Sequence, residues 1–142
     1  MDEREPVHAM AAFFNAIVAR QFDEVTAMYR RSATTYVFVE GPRWSTLGYD
    51  RIATGWRAYF ESPIQIIGWQ WSEGPVVEVW NDGAVVAGLL DLDIRVHETP
   101  RTLRVRASFV LVCEQSGLWR IVHEHVSQPM TDPYGIGDWL TT

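Results

Sequence analysis

The chain has 142 residues, a usual length for one domain and enough to bury roughly two thirds of the unfolded surface in a single core. Its formal net charge of -6 disfavours binding to a phosphate backbone, so nucleic acid is not expected as a partner. All 12 basic residues are Arg, which excludes catalysis by a lysine amine. No stretch approaches the ~20 apolar residues of a membrane-spanning helix, and the acidic start is unlike a signal peptide, so we expect a cytoplasmic protein without membrane contact.

Apolar periodicity predicts three helices in the first part of the chain. From Pro6 to Phe22 the apolar residues recur at three- and four-residue steps, and Asp23 is suited to cap a second, short helix. Tyr36 to Val39 has the composition of a strand. A third helix is predicted from Tyr49 to Glu61, because the large apolar residues there fall on one face.

The region from Ile64 to Ser127 predicts long strands joined by tight turns. The turns are expected at Asp82-Gly83, Thr99-Pro100 and Ser116-Gly117, where turn-forming residues interrupt the strand pattern. Since the helices come first and can cover only one face of this antiparallel sheet, we predict an α+β fold. We expect a single domain over residues 1–142, with a core from 6 to 128 and a docked C-terminal extension from 129 to 142.

The turn positions also predict which residues pair across the last three strands. A two-residue turn at Ser116-Gly117 gives three pairs on the last two strands: Val110 with His123, Ser108 with His125, and Arg106 with Ser127. A turn at Thr99-Pro100 adds Asp91 opposite Ser108 and Asp93 opposite Arg106. Because side chains alternate along a strand, these polar groups share one face, while the opposite face is widely apolar and must be covered.

Two arrangements of these faces are compatible with the residues. In the first, the polar rows lie at the bottom of a pocket closed by the helices, and the apolar face forms a dimer interface. In the second, the apolar face is the core beneath the helices, and the polar rows face solvent or a second subunit. The residues alone leave both arrangements open.

Several segments carry a resemblance to one family. Residues 117–129, which include Trp-Arg-Ile-Val-His-Glu-His-Val-Ser, resemble the final strand of SnoaL-like proteins. Residues 106–110, Arg-Ala-Ser-Phe-Val, are similar to the strand before it. Upstream, residues 38–42 with Gly48 and Trp56 are similar to the stretch between the first strand and the third helix of that family.

The resemblance runs over most of residues 8–128 and implies the cone-shaped fold of the NTF2-like superfamily. That fold has a deep pocket between helices and sheet and dimerises through its outer sheet face, which favours the first arrangement. The ending also resembles the association domain of calcium/calmodulin-dependent kinase II, although that domain has arginines where this chain has Phe109 and Val126. Since the superfamily includes ketosteroid isomerase, other enzymes and proteins without chemistry, the fold alone does not indicate a reaction.

Asp91 is the candidate general base, because a carboxylate deep in an apolar pocket is kept basic by desolvation. His125, in the same predicted row beyond Ser108, is the second candidate catalytic residue. The alternative is that these three groups satisfy one another in a structural network. Asp93 and Arg106 predict an ion pair, whose guanidinium is also suited to bind a carboxylate ligand.

Aromatic side chains and further polar groups complete the predicted ligand site. The aromatic walls are expected from Tyr36, Phe38, Trp56 and Tyr59, and the further polar groups are His123 and Ser127. His123 and His125 have the spacing of two imidazoles on one metal, but only Asp91 offers a third ligand. We therefore expect neither a metal nor another cofactor.

Two classes of function follow from these observations. The first is a binding protein, or a lyase- or isomerase-like enzyme, for a small and largely apolar molecule that bears a carboxylate or carbonyl group. The second is an association domain without chemistry, which forms a homodimer or a larger ring through its sheet. A metal-dependent enzyme is the weakest alternative.

Overall fold

The computed structural model describes residues 4–140. Within this range there are three helices: α1 (Arg4–Val18), α2 (Phe22–Ala27) and α3 (Tyr49–Glu61). Six strands are present: β1 (Tyr36–Phe38), β2 (Thr46–Leu47), β3 (Ile64–Trp80), β4 (Gly83–Val96), β5 (Thr99–Cys113) and β6 (Trp119–Ser127). The predicted α+β fold is confirmed. No helix within residues 4–140 has both the length and the apolar composition that a bilayer crossing requires.

The boundary between the first two helices differs from the prediction. Arg20 adopts a left-handed backbone with φ of 59°, and the Gln21 N–H bonds back to the Ala16 carbonyl at 3.0 Å. These features end α1 at Val18, as is usual at a helix C-terminus. Phe22 therefore begins α2, and the predicted cap, Asp23, lies in its first turn.

The strands form one curved sheet in the order β2-β1-β6-β5-β4-β3. The strands from β3 to β6 are joined as antiparallel hairpins, as predicted, whereas β1 runs parallel to β6. Register shifts in β3 between Ile66 and Gly68, and again between Trp71 and Val76, bend the strand away from a flat sheet. Gly88 makes one of these bends possible, because a Cβ atom there would lie 2.4 Å from the Glu73 carbonyl oxygen.

The turn between β4 and β5 was predicted at the wrong residues. It consists of His97 and Glu98, both with positive φ, and Thr99 already pairs with Val96 in the sheet. Such a turn needs positive φ at both central residues, which the ring of Pro100 does not allow. The predicted pairs of Asp91 and Asp93 are therefore wrong by four residues, but an even shift leaves every side chain on its predicted face.

The predicted pairs between β5 and β6 are confirmed, although the turn that joins these strands is longer than expected. Glu114 pairs with Leu118 around three residues rather than two. A bulge then follows in β6: Leu111 pairs with Ile121 and Val110 with His123, so Val122 has no partner on β5. The two departures cancel, so Ser108 lies opposite His125 as predicted.

The apolar face of the sheet lies beneath the helices. Phe13 and Phe14 of α1 pack on Phe109 of β5, with ring centroids 6.3 and 5.7 Å apart. The ring of Phe14 also packs on that of Trp69 in β3, with the ring centroids 4.8 Å apart. The second of the two arrangements is therefore the correct one, and the expectation that the polar rows line the pocket is wrong. The many aromatic rings of the N-terminal helices need an apolar sheet face to pack on, which explains the outcome.

The C-terminal extension makes little contact with the domain over residues 129–140. This stretch has no helix or strand, and Met130 is 76% exposed and Trp139 57% exposed. The docking expected for this extension is not seen here. Residues 141 and 142 lie outside the described residues.

Candidate functional site

A pocket of about 430 Å³ lies between the helices and the inner face of the sheet. Its walls are mainly apolar and aromatic, and the aromatic lining residues include Phe13, Phe14, Trp56, Tyr59 and Phe109. The volume is within the range of pockets that hold small organic ligands. Among residues 4–140, three charged side chains also line it: Glu40, Arg101 and Glu124.

Glu124 is the buried acid of this pocket. It lies on β6 opposite Phe109, and its neighbours on the same strand, His123 and His125, point to the other face of the sheet. Only 4% of its surface is exposed. A carboxyl group is thus held among apolar side chains at the inner end of the pocket.

Tyr29 and Trp56 form a hydrogen-bond chain that ends at Glu124. The Tyr29 hydroxyl donates to Glu124 Oε1 at 2.5 Å, and Trp56 Nε1 donates to the Tyr29 oxygen at 3.0 Å. The backbone on either side of Tyr29 is fixed to β6, because the Arg30 N–H bonds to the Ile121 carbonyl and the Ile121 N–H bonds to the Met28 carbonyl. Within residues 4–140, no other group hydrogen-bonds to the Glu124 side chain, so Oε2 is left for a ligand.

Burial changes the acidity of both partners. Desolvation raises the pKa of Glu124 to about 7, with a further contribution from the negative charge of Glu40, while the hydrogen bond from Tyr29 opposes the rise. Desolvation, followed by the charge of Glu124, raises the pKa of Tyr29 well above its usual value. At neutral pH the tyrosine is therefore protonated, and the glutamic acid is close to half protonated. This is the condition in which one carboxyl can both donate and accept a proton.

Glu40 lies after the end of β1 at the mouth of the same pocket. Part of its surface is exposed, yet the pocket walls desolvate its carboxylate enough to raise the pKa of Glu40 above its ordinary value. Its charge also contributes to the raised pKa of Glu124. The pocket therefore contains two electrostatically linked acids, one at the inner end and one at the mouth.

Two of the aromatic residues predicted for the pocket line it, and two do not. Trp56 and Tyr59 of α3 are in its wall. Tyr36 and Phe38 lie on the outer face of the sheet, beside His123 and His125, their partners on β6. The Phe38 ring is 5.2 Å from the His123 ring and 5.3 Å from the His125 ring, in edge-on contacts.

Asp91 is not in the pocket. It lies on the outer face opposite Arg104 rather than Ser108, and the guanidinium Nε is 2.7 Å from its carboxylate. The hydrogen bonds from Arg104 hold the pKa of Asp91 below its ordinary value. This is the opposite of the desolvated base expected from the sequence, because the residue is on the other face from the apolar core.

The other predicted polar residues also lie on the outer face. Asp93 pairs with Thr102 rather than Arg106, and both are exposed. Arg106 donates instead to the Ser127 hydroxyl at 3.0 Å and to the Gln128 carbonyl at 3.2 Å. Ser108, His123 and His125 share this face, so the structure brings together the predicted pairs of β5 and β6 but places them away from the pocket.

An open groove of about 540 Å³ also runs along the outer face past Gln70, Asp91 and Arg104. It is larger than the inner pocket, but the Asp91–Arg104 pair already satisfies its main charges. Within residues 4–140, no three His, Cys, Asp or Glu side chains come together in a way suited to a metal ion. The inner pocket is therefore the candidate site.

Sequence reasoning missed Glu124 and Tyr29. The signal for Glu124 was present, because it is an acid placed among apolar residues on the inward face of β6, close to Val126. No pattern in the sequence links Tyr29 to a residue 95 positions later.

Comparisons with known proteins agree with this architecture. Residues 7–131 match the SnoaL-like domain family. A ketosteroid isomerase-like protein from Erwinia carotovora atroseptica is similar in structure, with a TM-score of 0.71 and 18% identity over 89% of this chain and 97% of the other. An NTF2-like protein of unknown function from Pseudomonas putida has a TM-score of 0.75 and 17% identity, over 90% of this chain and 87% of the other.

A putative calcium/calmodulin-dependent protein kinase type II association domain from Thiobacillus denitrificans is also similar. Its TM-score is 0.68, with 23% identity over 88% of this chain and 95% of the other. At these identities the likeness concerns the fold alone. Among curated proteins, none matches the chain in sequence.

Proposed function

The chain belongs to the SnoaL-like domain family, and we propose that it binds a small, largely apolar carbonyl compound in its inner pocket and transfers a proton on it. The observation that carries this proposal is the enclosed carboxyl of Glu124, whose pKa is raised to about 7. A solvent-exposed carboxyl would be fully ionised at neutral pH and a poor proton donor. The apolar walls explain the expected character of the ligand.

The two acids of the pocket suit two different roles. Protonated Glu124 has Oε2 free to donate a hydrogen bond to the carbonyl oxygen of a ligand, while Tyr29 steadies Oε1. Ionised Glu40 is the group suited to take a proton from the carbon next to that carbonyl. The electrons of the broken C–H bond then form the carbon–carbon double bond of an enol, and the oxygen is stabilised by Glu124. Return of the proton to the same carbon regenerates the ketone, which is the exchange reaction. Where the ligand has a second carbon–carbon double bond at the β,γ position, the enol is conjugated, and transfer of the proton from Glu40 to the γ carbon gives an isomer with the double bond moved.

The experiment measures exchange of the protons next to the carbonyl of a panel of cyclic ketones. The ketones are incubated with protein in deuterium oxide, and the loss of each proton signal is followed by nuclear magnetic resonance. Positioned acid or base groups contribute about a hundredfold or more in rate, so Glu124→Gln and Glu40→Gln should each slow exchange by at least that factor. Glu78→Gln changes an exposed glutamate of β3 on the outer face and serves as the matched control.

The outcomes separate the roles of the two acids. Exchange that is lost in both pocket variants but kept in Glu78→Gln supports the proposal. If Glu124→Gln exchanges every active ketone at the wild-type rate, then Glu124 takes no part in proton transfer. If no ketone exchanges faster with wild-type protein than in buffer, proton transfer at a carbonyl is the wrong chemistry.

We also propose that the outer face of the sheet associates with a second copy of the chain. The observation in favour is the presence of exposed apolar side chains on that face, including Tyr36, Val76 and Trp80, at 37%, 66% and 50% exposure. Structural neighbours described as kinase association domains support an assembling role for this architecture. In this second function the sheet supplies the contact, and no chemistry in the pocket is needed.

A further inference from the structure

Arg101 is the one cation among the residues of the described chain that line the pocket. It lies near the start of β5, opposite Ile94 of β4, and both residues are on the inner face. Leu103 continues the same face toward the interior and also lines the pocket. Because side chains alternate along β5, Arg101 lies on the inner face, close to the His97-Glu98 turn. Its exposed side chain forms part of the rim of the pocket.

Arg101 and the buried acid Glu124 lie at different ends of the pocket. Glu124 lies opposite Phe109, and Arg101 precedes Phe109 by eight residues on β5, a path of roughly 26 Å along the strand. Leu103 lies between Arg101 and Phe109 on the same face of β5 and also lines the pocket. The guanidinium and Glu124 are therefore separated along the strand, with an apolar wall between them.

Arg101 has no bound acceptor within residues 4–140, unlike three other arginines of the sheet. Arg95, on the same hairpin, also has none, but it points to the outer face. Arg104 is held by Asp91, Arg106 by Ser127, and Arg120 by Glu114 at 3.2 Å. Arg101, by contrast, makes no salt bridge and no side-chain hydrogen bond with any group in residues 4–140. A guanidinium at a pocket rim with its donors free is well suited to a carboxylate, which it can bind through two parallel hydrogen bonds.

We propose that Arg101 selects ligands that carry a carboxylate at one end of an apolar body, and that it orients them with the neutral end toward Glu124. This inference names the substrate class of the proposed function and rests on it. The opposite orientation would bring a carboxylate to Glu124, where a second acidic group and an apolar surrounding oppose it. A carboxylate near the rim keeps part of its hydration and gains the guanidinium, so only one orientation is favourable.

Binding of decanoate and of 1-decanol, measured by isothermal titration calorimetry, tests the inference. Both probes have the same chain, so the carboxylate is the main difference between them. A charge-assisted hydrogen bond at a partly hydrated site is expected to make decanoate bind about tenfold more tightly than 1-decanol. In Arg101→Gln this preference should fall to about twofold or less, while binding of 1-decanol should stay unchanged.

Arg95→Gln is the matched control, because Arg95 lies on the same hairpin but points to the outer face. It should keep the wild-type preference, and circular dichroism should show that both variants are folded. The inference is overturned if wild-type protein binds the two probes equally, if it binds neither, or if Arg101→Gln keeps the preference. In the first and third cases binding of 1-decanol would still show a functional pocket, so the proposed function would stand without this selectivity.

Discussion

The hydroxyl of Tyr29 donates to Oε1 of Glu124 at 2.5 Å, joining the segment that follows the second helix to the last strand of the sheet. Both residues are buried, at 2% and 4% exposure, and Trp56 donates to the same tyrosine oxygen from the third helix. One hydrogen-bond chain therefore fixes two helical elements to β6 and holds a carboxyl group in the pocket. A buried carboxyl without such a partner would carry a larger desolvation penalty.

The raised pKa of Glu124 makes stability depend on pH. Burial raises this pKa from an ordinary value of 4.5 to about 7. Between these values the native state binds more protons than the unfolded state, so the free energy of unfolding should fall as the pH rises through this window. The full loss is on the order of 3 kcal/mol. Urea unfolding followed by tryptophan fluorescence at pH 5 and pH 8 measures it.

In Glu124→Gln this pH-dependent loss should disappear, because the amide cannot ionise and still accepts the tyrosine hydrogen bond. Glu78→Gln alters an exposed residue and should keep the wild-type pH profile. An equal decline in stability between pH 5 and pH 8 in wild type and Glu124→Gln would show that Glu124 is ionised in both the native and the unfolded state.

Removing the Tyr29 hydroxyl should act on two partners at once. In Tyr29→Phe, the Glu124 carboxyl loses the hydrogen bond that opposes its raised pKa, so the pKa of Glu124 should rise further. The decline in the free energy of unfolding of this variant should therefore extend to higher pH. Trp56 Nε1 also loses its acceptor. The expected cost at pH 6 is about 1–3 kcal/mol, measured by urea unfolding. Tyr36→Phe, on the exposed outer face, should cost much less and should leave the pH profile unchanged.

The fold could be predicted because its signals are local. Helical periodicity, strand alternation and turn residues each act over a few positions, and together they identified the helices and the β3 to β6 hairpins. The short strand β2 was missed, since two residues between loops carry no periodic signal. The turn at His97 and Glu98 was missed because neither residue is a typical choice for positive φ.

The candidate site was harder to predict, because it depends on which sheet face meets the helices. Alternation grouped Ser108 and His125 correctly, yet it could not show that their face is the outer one. That outcome depends on the packing of whole surfaces, such as Phe13 and Phe14 against Phe109. A predicted cluster of polar groups is therefore a weak guide to a pocket when the opposite face is apolar enough to form the core.

Gly88 should be intolerant of any side chain. A Cβ atom there would lie 2.4 Å from the Glu73 carbonyl oxygen and 3.1 Å from the Trp71 ring, so Gly88→Ala must displace the backbone of β3. Forced overpacking of this kind costs about 1–3 kcal/mol, seen as a lower urea midpoint. Equal midpoints for Gly88→Ala and wild type would show that β3 adjusts freely at this bend.

Gly55→Ala is the opposite case. A Cβ atom there would have no other atom within 4 Å, and alanine favours α3, so the free energy of unfolding should rise by about 0.5–1 kcal/mol.

Association through the outer face should be sensitive to charge at its centre. Val110 lies there between Val85 of β4 and His123 of β6 and is only partly exposed in the single chain. In a two-fold contact through this face, Val110→Arg would bring two like charges into a desolvated interface, which costs several kcal/mol.

Light scattering should therefore give the mass of two or more chains for wild type and of one chain for Val110→Arg. Leu118→Arg introduces the same charge at a residue that is 52% exposed in the β5–β6 turn, away from the centre of the face, and should keep the wild-type mass. In a single chain, an arginine at position 110 is free to extend into solvent. The urea midpoint of Val110→Arg at low protein concentration should therefore stay close to that of Leu118→Arg. A wild-type mass of one chain at high concentration would rule out the association, and loss of the assembly in Leu118→Arg alone would move the contact from the sheet to the turn.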